Sequence, residues 1–218
     1  MSSAAGKEGK RKVSAGAVAA IVVLAVIAGV GWGLYATKAP PAKTTTALNS
    51  TVQSEIVTSL AFEHWNAIGI ENINLTMSQY SSNATLYWYV NYSSYDNAYN
   101  SALNGTHAGL TAIRSVWTTF FSESVVYYWV GALKTNVTGG TATVTAHLWY
   151  LMSNGTVNQS ANVSSQLFTV IMPYELYYFY SGGHWYLSSE WWGFPNNQGH
   201  VYPGAYGLQA FLKKYHTV

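Results

Sequence analysis

The chain has 218 residues, enough for one domain with a sizeable core and little more. Only 8% of residues are charged and 16% are aromatic, and the basic residues are segregated: six of the ten Lys/Arg precede residue 44, and four bases face seven acids after it. A nucleic-acid binder needs a basic patch to neutralise phosphates, so this balance excludes that class. The absence of cysteine excludes disulfide scaffolds, thiolate metal sites and Cys nucleophiles.

Residues 1–12 form a basic N-terminus (Lys7, Lys10, Arg11, Lys12), and "VSAGAVAAIVVLAVIAGVGWGLYAT", residues 13–37, follows without a charge. As a helix this run would extend about 37 Å at 1.5 Å per residue, enough to cross a bilayer core of ~30 Å. It is longer than a secretory apolar region, so the expectation is a retained single-pass anchor whose partner is the lipid bilayer. Four positive charges precede the run and two follow it, which places the N-terminus in the cytoplasm and the rest outside the cell membrane. Nine N-x-[ST] patterns agree, at Asn49, Asn74, Asn83, Asn91, Asn104, Asn136, Asn154, Asn158 and Asn162, all on the C-terminal side. Each is a candidate glycosylation site.

Residues 38–51 read as a Pro/Thr-rich stalk. From Val52, apolar residues at helical spacing (Ile56, Val57, Leu60, Ala61, Ala67, Ile68) share a face with His64, and Gly69 ends the helix. "ENINLTMSQY" suits a short second helix and "ATLYWYV", Ala84 to Val90, a strand. A polar loop, Asn91 to His107, leads to a third helix, Gly109 to Phe121, with Leu110, Ile113, Trp117 and Phe120 in a stripe. Four strands follow, separated by Gly139–Gly140, Asn154–Gly155 and Gly182–Gly183, the turn chemistry of antiparallel hairpins. Residues 195–218 form a C-terminal extension with one short amphipathic helix, Leu208 to Tyr215.

Three stretches in this order resemble the NTF2-like superfamily and its SnoaL-like members: "FEHWNAIGIENINLTMSQYSSNATLYW", "GLTAIRSVWTTFF", and the closing "SGGHWYLSSEWW" with its G-x-W-x-[ILV] pattern. The chain departs from the family before the second helix, where Glu71 stands in place of an Asp. The resemblance covers about residues 52–194. It implies an α+β cone, a strongly bent antiparallel sheet wrapped round a long helix, with an interior able to hold a small apolar ligand. The family spans isomerases, cyclases, dehydratases and non-catalytic binding or dimerisation domains, so a homodimer is one expectation and fold does not give function. The few charges, abundant tyrosine and dense sequons also resemble exported surface proteins of archaea from hot, acidic habitats.

His64 is the leading site candidate, since a histidine on the inward face of the first helix can act as base or ligand contact; the plainer reading is a core histidine with one hydrogen bond. Trp88, Arg114, Trp117 and Glu175 are the other candidates for lining the interior. Arg114 would either pair with Glu123, Glu63 or Glu71 or anchor an anionic ligand at the cone mouth. Asp96, the one aspartate, lies in a polar loop unsuited to a raised carboxyl pKa. His147 falls out of phase with Ala142, Val144, Ala146 and Leu148, which puts it on the opposite face of its strand. In "HWYLSSEWW" strict alternation puts Trp185 and Leu187 on the core and His184 and Glu190 on the other face, about 20 Å apart. On that reading they form no dyad. No metal-ligand spacing, phosphate loop or nucleophile motif occurs, so no metal or cofactor is expected. The leading expectation is a non-catalytic ligand-binding or accessory surface module. The alternatives are a SnoaL-like enzyme on a small hydrophobic substrate and a structural subunit of a surface filament or envelope.

Overall fold

A computed structural model describes residues 49–91, 103–153 and 166–215. The apolar run 13–37, the stalk up to residue 48, Asp96, and Asn154, Asn158 and Asn162 lie outside the described residues. Among the described residues no helix is long and apolar enough to cross a membrane.

Two helices open the domain, α1 (Ser50–Gly69) and α2 (Ile73–Ser78). Each starts on an asparagine that satisfies an orphan N–H of the first turn: Asn49 Oδ1 accepts from Thr51 N at 3.1 Å, and Asn72 Oδ1 from Leu75 N at 3.1 Å. Between them the chain turns through Glu71 at φ 57, and the Glu71 carboxylate accepts from Val125 N at 2.7 Å. The buried stripe of α1 is Gln53, Val57, Ala61, His64, Trp65, Ala67 and Ile68. Ile56, expected on this face, is instead exposed; the buried stripe begins three residues earlier with Gln53, whose Oε1 accepts from Trp185 Nε1 at 2.7 Å.

The strands are β1 (Tyr80–Trp88), β2 (Val90–Asn91), β3 (Gly105–Ala108), β4 (Ser124–Thr138), β5 (Thr141–Ser153), β6 (Leu167–Ser181), β7 (His184–Trp192) and β8 (Gly199–Pro203), with α3 (Leu110–Phe120) before β4 and α4 (Leu208–Tyr215) at the end. They make one sheet running β2-β8-β6-β7-β1-β3, with β5 on the other edge of β6 and β4 beyond it. The 15-residue β6 is the hub: β5 pairs along one edge, while β7 takes its C-terminal half and β8 its N-terminal half on the other.

The expectation of an antiparallel sheet is corrected in two places. β1 runs parallel to β7 and β2 parallel to β8, so the sheet is mixed. The first pair forms because the chain reaches β7 from β1 only after α3 and five other strands, a long connection of the kind that parallel pairing needs. Two strands also stand where sequence reading gives none: β3 in the polar loop, and β8 in the tail.

Glycine makes one handover possible. Gly193, at φ 72, ends β7 beneath Tyr89, and a Cβ there would lie 2.2 Å from the Tyr89 carbonyl oxygen. Tyr89 consequently donates to Trp192 O at 2.7 Å and accepts from Gly199 N at 2.8 Å, which passes the chain from β7 to β8. The final helix α4 covers part of the outer face: Phe211 is buried, and Tyr215 stacks on His147 with centroids 4.0 Å apart.

Candidate functional site

One residue of β7 decides the interior. Tyr177 lies opposite Ser189 and Tyr178 opposite Leu187, so Ser188 is an extra residue, its hydroxyl donating to Tyr177 O at 2.8 Å. A bulge shifts the alternation by one. Trp185 and Leu187 face the core, as the alternation from His184 requires; beyond Ser188 the core-facing residues become Glu190 and Trp192. The placement of Glu190 on the outer face is thereby corrected. His184 is exposed, and the two do not form a pair.

Glu190 instead meets His64. Both are 0% exposed, and His64 Nε2 lies 3.2 Å from Glu190 Oε2. The same oxygen accepts from the Tyr80 hydroxyl; Oε1 accepts from the Tyr174 hydroxyl and from Trp192 Nε1 at 2.6 Å. Trp117 Nε1 donates to Tyr80 Oη at 3.1 Å. Thus four donors from α1, β1, β6 and β7 converge on one carboxylate, and α3 adds a second layer. With Glu190 as a carboxylate, which only accepts, the His64 tautomer that fits is the one with its hydrogen on Nε2. His64 Nδ1 has no hydrogen-bond partner among the described residues, nor has the Tyr150 hydroxyl. Burial pushes the Tyr174 phenol well above its ordinary range, with Tyr150 and Tyr178 adding to the shift. Burial does the same to Tyr150 and Tyr178. These phenols keep their protons, which the Tyr174 bond requires.

Aromatic rings close the space around this knot. Trp88 stacks on Trp192 at 4.3 Å between centroids; Trp117 meets both edge-on, at 5.9 and 5.3 Å. Trp65 lies edge-on to Tyr174 at 5.9 Å, and the His64 ring lies edge-on to Tyr80 and Trp117 at 5.5 and 6.3 Å. Trp65, Trp88, Trp117 and Trp192 are all fully buried.

Of the residues expected to line the interior, the structure brings His64, Trp88 and Trp117 together. Glu175 is not with them: it alternates with the inward Tyr174 and Leu176, lies opposite Trp191 on the outer face, and accepts from the Tyr177 hydroxyl. Arg114 is exposed on α3 and forms no ion pair among the described residues. Its Nη1 lies 3.4 Å from Asn74 Oδ1, beside a groove of about 250 Å³ lined by Met77, Leu110, Thr111 and Arg114. Of the carboxylates proposed for it, Glu71 is engaged with Val125 N. His147 lies on the outer face opposite Pro173, where burial and the nearby Lys214 charge lower its pKa. Sequence reasoning missed Glu190, Tyr80 and Tyr174. The available signal was a lone carboxylate among aromatics, "SSEWW", in a strand whose two serines leave room for a bulge.

The class this architecture defines is an α+β fold with a mixed sheet packed against its first and third helices. No protein-family model matches the chain, and no curated protein matches it by sequence. Solved structures do match. A protein of the NTF2-like family from Streptomyces avermitilis aligns over 71% of this chain and 98% of its own at 14% identity, with a TM-score of 0.51. A protein from Kribbella flavida aligns over 68% of this chain and 92% of its own at 12% identity, also at 0.51. These likenesses establish the fold as NTF2-like, in agreement with the resemblance of the sequence.

Proposed function

We propose that this chain is a single-pass, membrane-anchored protein whose NTF2-like domain lies outside the cell as a non-catalytic accessory module. The observation that carries the non-catalytic reading is the enclosure of His64 and Glu190. A base and a carboxylate in contact would suit proton transfer, but a catalytic pair must reach a substrate atom within hydrogen-bond distance. Here every acceptor position of the carboxylate is taken and tryptophans occupy the space a ligand would need. The knot ties α1 to three strands and specifies one packing of the cone. A buried carboxylate whose acceptor positions are all filled rigidifies a core in this way. The anchor and the outside location rest on residues 13–37, the charge asymmetry and the one-sided sequons.

The test uses the full chain in detergent, with tryptophan fluorescence read against a panel of small aromatic and polycyclic probes. No saturable one-to-one quenching is expected. Saturable binding that Glu190→Gln abolishes in a folded protein would overturn the non-catalytic reading. Topology is tested separately by protease digestion of intact cells: the C-terminal domain should be cleaved and the N-terminus protected.

The enzyme reading has one specific observation in its favour. His64 presents a free Nδ1 while Nε2 is oriented by a carboxylate, the arrangement of a positioned base. Under that reading a small hydrophobic substrate enters by displacing a ring at the knot, and the probe panel finds it.

A further inference from the structure

The acceptor pattern N-x-[ST] marks nine asparagines as chemically equivalent in the sequence, but the fold does not treat them alike. This inference rests on the outside location proposed above, since N-linked sugars are added to exported chains. The atom that matters is Nδ2. It attacks C1 of a sugar held on a phosphate donor. The Nδ2–C1 bond forms, the C1–O bond breaks, the phosphate leaves with the electron pair, and Nδ2 loses one proton to a base on the transferring enzyme. The product is a secondary amide, which is trans like a peptide bond. C1 therefore takes the position of the Nδ2 hydrogen on the same side as Oδ1.

At Asn104 that hydrogen is in use. Asn104 Oδ1 accepts from Val90 N at 3.0 Å while Nδ2 donates to Val90 O at 2.9 Å. Two bonds from one amide to one residue's N–H and C=O require the hydrogen syn to Oδ1, the one a sugar replaces. Val90 is 1% exposed and pairs with Gly199 of β8 on its other side. Asn104 directly precedes β3, whose Gly105 lies opposite Trp88, so the side chain extends the β1–β3 ladder past Tyr89. A sugar on Asn104 breaks that seam.

Three other sequons are open. Asn49 and Asn83 use only Oδ1, from Thr51 N and Ser81 Oγ, both at 3.1 Å, and both residues are exposed. Asn136 is exposed on β4, two residues before the hairpin to β5, and Thr138 beside it is exposed as well. At Asn74, by contrast, the Thr76 hydroxyl that completes the pattern is fully buried and donates to Asn72 O at 2.9 Å. Two of the open sites share a region: the first turns of α1 reach the β6–β7 hairpin through Gln53 and Trp185, and the β4–β5 hairpin adjoins it through Tyr180 N and Gly140 O at 2.8 Å. Asn83 lies apart from them, in the irregular stretch of β1 between the Tyr80–Leu187 and Thr85–Ser189 pairings, beside the bulge of β7.

We propose that Asn49, Asn83 and Asn136 carry N-linked sugars and that Asn104 is held bare by its clamp on Val90. The test is glycopeptide mass spectrometry of the full chain, exported by a host that N-glycosylates its surface proteins. Sugar is expected on peptides containing Asn49, Asn83 and Asn136, and none on Asn104. In gel mobility, Asn49→Gln, Asn83→Gln and Asn136→Gln should each remove one step, and Asn104→Gln none. Sugar on Asn104, or bare Asn49, Asn83 and Asn136 with sugar on other sequons, overturns this proposal alone. A chain bare at all nine sequons overturns it together with the outside location.

Discussion

Tyrosine–carboxylate contacts sit on both faces of the β6–β7 pair. On the inner face Glu190 takes four donors and no solvent; on the outer face Glu175 takes the Tyr177 hydroxyl and remains half-exposed. The groups are the same and their surroundings are not. Desolvating a carboxylate costs several kcal/mol, so an inward Glu is tolerated only where donors replace the lost water. An outward one needs no such shell. The comparison shows why the inner contact recruits residues from four elements while the outer one recruits a neighbour two positions along its own strand. It also shows that a single bulged residue, Ser188, decides which face Glu190 joins.

The strongest way to break this contrast is to shift the phase of β7 beyond the bulge. Inserting one residue between Ser189 and Glu190 would turn Glu190 and Trp192 outward and bring Trp191 inward. The expected outcome is loss of the cooperative fold, read as loss of the near-UV circular dichroism of the tryptophan cluster. Ser188→Ala keeps the residue count and removes one hydroxyl bond, and should stay folded at a cost of about 1 kcal/mol.

Glu190→Ala comes next. It leaves the Tyr80, Tyr174, Trp192 and His64 donors buried without their acceptor, and breaking such a buried set costs about 3–5 kcal/mol. Denaturant midpoints should show this, whereas Glu175→Ala on the outer face should stay within about 0.5 kcal/mol of wild type. Equal losses for the two would remove the distinction between the faces. His64→Leu is smaller than Glu190→Ala, about 1–3 kcal/mol, since three donors remain on the carboxylate.

Much of the frame was legible because it rests on local chemistry. The Gly pairs marked two of the hairpins, the apolar stripe of residues 109–121 marked α3, and Leu208–Tyr215 showed its helical spacing. His64 was legible for the same reason, lying on the inward face of a helix whose period is fixed. Glu190 was not, because strand phase is lost across a bulge and the bulge is set by pairing with β6, far from local sequence. The parallel pairing of β1 with β7 and the recruitment of β8 were hidden alike, as both join residues from distant parts of the chain. Gln53 illustrates a third limit: a polar residue opens the buried stripe of α1 because a tryptophan on β7 supplies its partner.

The smallest effect is a titration. Burial, and then the hydrogen bond and charge of Glu175, raise the Tyr177 pKa to about 12. An unfolded tyrosine ionises near about 10, so the folded state holds this proton more tightly. The stability it contributes is complete below pH ~10 and is lost as pH rises through about 12. On the inner face, burial raises Tyr150, Tyr174 and Tyr178 further, so they should ionise only when the chain unfolds. An ultraviolet titration should therefore show reversible ionisation of exposed tyrosines, followed by a step coincident with loss of tertiary signal. Tyr177→Phe should delete one ionisation near pH 12 without moving that step. Glu175→Gln should lower the Tyr177 midpoint only in part, because burial, the larger cause, remains. A full return to the ordinary value would make the Glu175 contact, and not burial, the origin of the shift.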